Sequence, residues 1–270
     1  MKKVIIVIPV YKAALSEKEE KSLLQCFRIL YKYPISFFML DALHAEYYKQ
    51  LAEKNNIEYQ EERFHAKYFA SLDGYNRLML TKEFYERYAS YEYMLIYQPD
   101  AYVFSDELLY WCSQNYDFIG APSVGEHYDT VFSNKLVVGN GGFSLRKINT
   151  FIQAFDCKKN LFPVKEIINR YAVFKKPWTR IPLLLLMIFG FRNKFSYIAA
   201  NWKYPEDDFW SKYLCRTNWP LSKPEPETAV KFAFERFPSS LYEINGQKLP
   251  FGCHGWYRYE YEEFWKKFIE

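Results

Sequence analysis

The first apolar run of the chain, "KKVIIVIPVYK", carries β-branched residues without polar alternation and is closed by Pro9. That is the pattern of a strand buried on both faces in a parallel sheet. "SEKEEKSLLQCFRIL" then changes to helical spacing, with Ser16 as N-cap and Glu19 three residues on, a capping-box signature. "ISFFML", Ile35 to Leu40, predicts a second strand, and "HAEYYKQLAEKNN" a second helix ending at an Asn pair. "TKEFYERYASY" reads as helical, and "YMLIYQPDAYVF" as a strand that breaks at Pro99. "DFIGAPS" is a further short strand leaving through a turn. This β-α-β-α-β alternation predicts an α/β fold around a largely parallel sheet. After about Asn149 the pattern becomes irregular and rich in aromatic residues.

Composition narrows the classes. Half of the 270 residues are hydrophobic, which excludes wholesale disorder. Thirty-six Lys and Arg against 32 Asp and Glu leave +4, with no basic block, so nucleic acid is not an expected partner. Five scattered cysteines with no CxxC pair argue against a disulfide framework or structural zinc, and fit a reducing, cytoplasmic setting. The N-terminal apolar run is short, interrupted by Pro9 and followed by no small-residue cleavage site, so it reads as a strand rather than a signal peptide. "KKPWTRIPLLLLMIFGFRNK" stands apart, because Ile181 to Phe191 is apolar between basic and Trp-bearing flanks. It is far shorter than the ~20 residues that span a bilayer. Two readings stay open for it: peripheral contact with a membrane surface, or a buried helix or partner interface.

Ligands of open parallel sheets collect at the carboxyl ends of the strands. Three features fall at such ends: Pro9-Val10-Tyr11, Asp100, and the turn Asn140-Gly141-Gly142. Asp100, held rigidly after an apolar strand, suits a hard divalent cation, and equally suits an ordinary turn after Pro99. Glu206, Asp207 and Asp208 are adjacent carboxylates before Phe209 and Trp210. One of them could serve as general base toward a hydroxyl, or all three could simply complement a helix N-terminus. His254 lies between Gly252 and Gly255, beside Trp256 and Arg258, and could ligate a metal, bond a phosphate or be structural. His44, His65 and His127 acquire no role. "VVGNGGFSLRK" places Gly139, Gly141 and Gly142 almost side by side in a chain with only 10 glycines. No GK[ST] follows, and Ser144 stands where a dinucleotide fingerprint needs its third glycine, so neither an ATP loop nor an NAD turn is indicated. A tight turn leading into a helix would explain part of the cluster. Aromatic residues reach 21%, and most of them must be core.

Taken in order, "YFASLDGYNRLMLTKEFYERY", "YEYMLIYQPDAYVF", "YDFIGAPS", "VVGNGGFSLRK", "EDDFW" and "LPFGCHGWYRYE" resemble a bacterial family catalogued as domain of unknown function 5672. That family is regarded as glycosyltransferase-like with a GT-A type fold. The resemblance runs from about Val4 to Phe264 and implies one domain over residues 1–270. A nucleotide-sugar-binding half would extend to about residue 125, and an acceptor-side half with an apolar insertion near 175–195 would follow. It further implies a nucleotide sugar as donor and a glycan or glycolipid acceptor. Pro9 and Tyr11 would lie near the base, and Asn76 near the nucleoside. Asp100 looks like the surviving acid of a DxD element, and His254 is similar to a C-terminal histidine that closes on metal or diphosphate. Gln98 and Tyr102 stand where a second acid would be expected, which puts the Mn²⁺ or Mg²⁺ ion in question.

By the same resemblance Glu206 and Asp207 match the "ED" beneath the acceptor hydroxyl, with Asp207 as base of an inverting transfer. Asn140, Gly141, Gly142 and Trp256 would line the sugar. Arg258 or Lys12 would share the charge of the leaving diphosphate. The rival expectation is a non-catalytic carbohydrate- or membrane-binding module on a degenerate transferase fold. A third expectation is a nucleotidyltransferase or nucleotide-sugar hydrolase on a similar sheet, and the absence of a Gly-rich basic loop near the N-terminus counts against the nucleotidyltransferase.

Overall fold

The computed structural model describes residues 1–124, 136–172, 181–214, 217–219 and 221–269. His127, Cys215 and the start of the expected 175–195 insertion lie outside the described residues. The strands are β1 (Lys2–Val10), β2 (Ile35–Leu40), β3 (Tyr59–Phe64), β4 (Tyr91–Tyr97), β5 (Ala101–Val103) and β6 (Phe118–Gly120). They continue with β7 (Pro122–Val124), β8 (Leu136–Val138), β9 (Phe143–Lys147), β10 (Ala233–Phe234) and β11 (Gly252–His254). The central sheet has six strands in the order β3-β2-β1-β4-β9-β6. β3, β2, β1 and β4 run parallel, whereas β9 is antiparallel to both β4 and β6. The expected α/β fold with a mostly parallel sheet is therefore the observed one.

β1 explains why its run lacks polar alternation. Val4, Ile6, Ile8 and Val10 enter one apolar cluster, covered by α1 (Glu17–Leu30) and α2 (Glu46–Lys54). Ile5 and Val7 enter a second cluster on the opposite face, with α3 (Leu72–Met79) and α4 (Lys82–Glu86). The capping box of α1 forms as expected: the Glu19 carboxylate accepts the Ser16 backbone N–H at 2.7 Å and its hydroxyl at 2.6 Å. Lys12 pairs with that same Glu19 at 2.6 Å, so its charge is directed to α1.

The structure departs from the sequence expectations at four places. β1 does not stop at Pro9 but runs through it to Val10. Pairing with β4 ends at Val7–Ile96, so the missing N–H of Pro9 costs no ladder bond on that side. β3, "YQEERF", escapes the apolar pattern because it is an edge strand with only Phe64 buried. α3 escapes because Gly74 interrupts it, yet Ser71 caps it by accepting the Gly74 N–H at 3.1 Å. The glycine cluster also leads into a strand, β9, rather than into a helix.

α5 (Leu108–Ser113) precedes β6 and packs in the first cluster, whereas α6 (Ile148–Asp156) follows β9 and packs in the second, on the opposite face of the sheet. Next come α7 (Val164–Ala172), α8 (Ile181–Ile188), α9 (Phe195–Ala200) and α10 (Glu206–Asp208). α10 widens at once into a π-helical turn, Phe209–Tyr213. α11 (Pro226–Phe232) and α12 (Pro238–Ile244) bracket β10. A small second sheet, β10-β11-β5, carries the C-terminal segment back to the carboxyl end of β4, around a third apolar cluster.

Phe38 sits fully buried against the rings of Phe64, Phe69, Tyr75 and Phe84. Phe38→Ala is expected to cost about 3–5 kcal/mol in urea denaturation. Tyr31→Ala, at an exposed position, should stay within about 0.5 kcal/mol.

Candidate active site

The break after β4 is made by Gln98-Pro99-Asp100. The Gln98 N–H donates to the Gly142 carbonyl at 2.9 Å, and the Ala101 N–H closes back on the Gln98 carbonyl at 2.9 Å. β5 then pairs antiparallel with β11, which sets His254 opposite Ala101 and so beside Asp100. Gly255, at φ +65°, turns the chain sharply away and donates its N–H to the Asp100 carbonyl at 2.9 Å. Because β10 runs parallel to β11, with Phe234 opposite Cys253, Glu235 arrives on the other side of the same imidazole.

His254 is thus held between two carboxylates. Its Nε2 is 3.1 Å from Asp100 Oδ1 and 3.1 Å from Gln98 Oε1. Its Nδ1 is 3.1 Å from Glu235 Oε1 and 3.2 Å from Asn140 Nδ2. Burial opposes a charge on the ring, but Asp100 and Glu235 outweigh it and raise its pKa from 6.5 to about 10. Asp100 is buried too, which would raise its pKa, yet His254 and then Arg258 hold it below the usual carboxylate range. Asp100 Oδ2 lies 3.1 Å from the Arg258 guanidinium but accepts no hydrogen bond.

A second group gathers at α10. Glu206 meets Arg146 through two oxygens, at 2.7 and 3.0 Å, in a pair almost wholly removed from solvent. Arg146 also donates to the Tyr85 hydroxyl at 3.0 Å and to the Ser144 hydroxyl at 3.1 Å. Both Glu206 oxygens are therefore engaged, and the Glu206 N–H donates to Asn76 Oδ1 at 3.2 Å. Asp207 is freer. Its Oδ2 accepts the Gly141 N–H at 3.2 Å, and its Oδ1 accepts the Asp208 N–H at 2.9 Å. Burial first, then the charges of Glu206, Asp208 and Glu235, raise its pKa to about 7.

The glycine segment joins the two groups. A Cβ on Gly141 would stand 2.6 Å from Glu206 Oε1 and 3.0 Å from Asp207 Cβ. One on Gly142 would stand 2.2 Å from His254 Nε2. The backbone between Asn140 and Phe143 therefore fills the space where side chains at these positions would collide with both groups.

Several expected residues take other places. The amides of Gly141 and Gly142 are not bare toward a sugar: the first is bound to Asp207, and the second donates to Asn140 Oδ1 at 3.0 Å. Asn140 also accepts from the Phe143 N–H, so its amide group is directed at His254. Trp256 is buried in the third cluster and donates to the Ser22 hydroxyl at 2.8 Å, so it presents no open face to an acceptor. Asn76 ties α3 to α10. Pro9 is inside β1, while Tyr11 is exposed at its end and sets its ring edge on Tyr75, centroids 5.7 Å apart. The Tyr75 hydroxyl in turn accepts from Gln98 Nε2 at 3.1 Å. Glu235, Gln98 and Arg146 were not selected from the sequence as site residues. A charge flanking or interrupting an apolar strand, as in "FAFER" and "FSLRK", is the signal that marks two of them. An open cleft of about 470 Å³, lined in part by Asp41, His44 and Arg63, lies at the ends of β2 and β3 on the same sheet edge.

Among the described residues no three His, Cys, Asp or Glu side chains form a cation cluster. Only with His254 deprotonated at Nε2 would that nitrogen, Asp100 Oδ2 and Gln98 Oε1 offer donors to one divalent ion, with Glu235 placed to hold the proton on Nδ1.

With this geometry in hand, comparison with known proteins places the chain. It belongs to the family of proteins of unknown function DUF5672, whose pattern matches residues 58–254. No curated protein sequence matches it. Among solved structures it is similar to the galactosyltransferase LgtC in complex with donor and acceptor sugar analogs. The TM-score is 0.50 at 12% identity, over 93% of this chain and 86% of LgtC. An active-site mutant of LgtC gives 0.51 at 11% identity with the same coverage. The Mn/GDP form of core-mannan synthase A from Aspergillus fumigatus gives 0.42 at 11% identity, over 56% of this chain. This chain spans 61% of that enzyme's length. The shared feature is the fold, the GT-A type of nucleotide-sugar transferases.

Glu206→Gln leaves the Arg146 charge buried without its counter-ion and should destabilise the protein by about 3–5 kcal/mol in urea denaturation. The His254 pKa is raised on folding, so its contribution to stability is complete below about 6.5 and is lost as pH rises toward about 10. His254→Gln is expected to remove that loss between about pH 6.5 and 10 when unfolding free energy is followed against pH.

Proposed function

We propose that this protein transfers a sugar from a nucleoside-diphosphate donor to a hydroxyl group of a glycan or glycolipid, with Asp207 as the base. The observation that carries this reading is the meeting of two unlike groups across one glycine backbone. On one side is Asp207, a carboxyl bonded to backbone amides; on the other is a row of paired charges, Glu235, His254, Asp100 and Arg258, at the carboxyl end of the sheet.

The chemistry needs both. An attacking hydroxyl must lose a proton, and a carboxylate poised near neutrality accepts it most effectively. Asp207 is held for this by the Gly141 N–H, while Glu206, locked to Arg146, acts as the positioning residue that fixes the start of α10. The departing diphosphate gathers negative charge, which the His254 imidazolium and the half-exposed Arg258 guanidinium are placed to receive. A Mn²⁺ or Mg²⁺ ion held by Asp100, Gln98 and a His254 deprotonated at Nε2 would take the place of the imidazolium charge and stabilise the leaving oxygens in its stead. The cleft at the ends of β2 and β3 offers the nucleoside space on the same edge. A base acting directly on the acceptor suits a single, inverting displacement.

The test is turnover of UDP- and GDP-sugars, with and without Mn²⁺, by the wild-type chain and by Asp207→Asn. The variant should lose transfer by about 10²–10⁴-fold while donor affinity is retained. The wild-type kcat/KM should rise with pH through about 7, as Asp207 deprotonates. Transfer by Asp207→Asn at the wild-type rate would remove Asp207 as base. Sugar binding with no nucleotide affinity would instead identify a carbohydrate-binding module. The anomeric configuration of the product, read by NMR, separates inversion from retention.

A further inference from the structure

α8 has two apolar faces, and only one is covered. Leu183, Leu184, Met187 and Ile188 pack against the second core cluster. Ile181, Leu185 and Phe189, spaced by four, form an outer stripe, and the Phe189 N–H prolongs the helix by bonding the Leu185 carbonyl at 2.9 Å. Gly190, at φ +85°, then turns the chain so that Phe191 also stands outward. Phe189 is 72% exposed and Phe191 73%, more than any other aromatic side chain among the described residues. Val164 and Ile168 of the adjoining α7 extend the exposed apolar surface.

The stretch of sequence that carries this stripe is basic. From Cys157 to Lys203 the sequence holds ten Lys and Arg and one acid, while the remaining residues hold 26 basic and 31 acidic side chains. Lys158, Lys159, Lys165 and Arg192 are exposed. The loop carrying Lys158 and Lys159 is tied to the end of α8, because Asn160 Nδ2 donates to the Ile188 carbonyl and Lys194 bonds the Lys158 carbonyl. No helix among the described residues is long and apolar enough to cross a membrane. Outward aromatic rings beside a basic rim are instead the composition of a surface that lies in a lipid interface.

We propose that the outer stripe of α8 and the Phe189–Phe191 turn dock on an anionic lipid surface, with the rings inserted and the basic rim against the headgroups. This inference does not depend on the transferase reading.

The test is co-sedimentation of the full chain with phosphatidylcholine vesicles, with and without phosphatidylglycerol. Binding should require the anionic lipid and weaken with added salt. Phe189→Glu with Phe191→Glu should lower partitioning by roughly tenfold per ring, at an unchanged melting temperature. Lys158→Glu with Lys159→Glu should lower it by about fivefold per charge. Absence of the wild-type chain from anionic vesicles would overturn the proposal, as would wild-type partitioning of the Phe189/Phe191 variant. A concentration-dependent dimer that Phe189→Glu dissociates, with no vesicle binding, would assign the stripe to a second copy of the chain and overturn it equally.

Discussion

The arrangement of this site depends on one close approach, that of the Gly141-Gly142 backbone to Glu206 on one side and His254 on the other. At those separations no Cβ can be accommodated without moving backbone or the site itself. The consequence is geometric. β9 is hydrogen-bonded between β4 and β6, so the glycine turn at its start is as rigid as the sheet. Both groups that rest on the turn inherit that rigidity, although they come from segments more than forty residues apart.

Each group also has its own means of tolerating burial. Arg146 and Glu206 neutralise one another deep in the second core, where neither charge could stand alone. Asp100, His254 and Glu235 form an alternating row of charges in which the central imidazolium satisfies both carboxylates. Asp207 is the group left without a cation. It is partly buried among acids and bonded to backbone amides, and that setting raises its pKa to about 7. The contrast between neighbours Glu206 and Asp207 is therefore an outcome of who is paired, not of residue type.

Much of the sheet was legible in the chain because β1, β2 and β4 are covered on both faces and announce it as unbroken apolar runs. β3 was not, since an edge strand with one solvated side can be written "YQEERF". Asp100, Asp207 and His254 stood out in the chain by their positions beside strand ends, glycines and aromatic residues, and the structure brings them to one edge of the sheet. Their partners were less legible: Glu235 reaches His254 only because β10 and β11 lie side by side, and Gln98 does so only through the turn at Pro99. Trp256 shows the converse. Its place beside His254 suggested a sugar platform, but a half-turn of chain points the ring inward to Ser22 and Tyr102.

In the proposed reaction, donor and acceptor meet over this glycine turn. A crystal structure with bound nucleoside diphosphate sugar and Mn²⁺ tests it most directly. The diphosphate is expected against Asp100, His254 and Arg258, with the anomeric carbon turned toward Asp207. A diphosphate bound away from these three side chains, or a sugar ring on the far side of the sheet from Asp207, would contradict it.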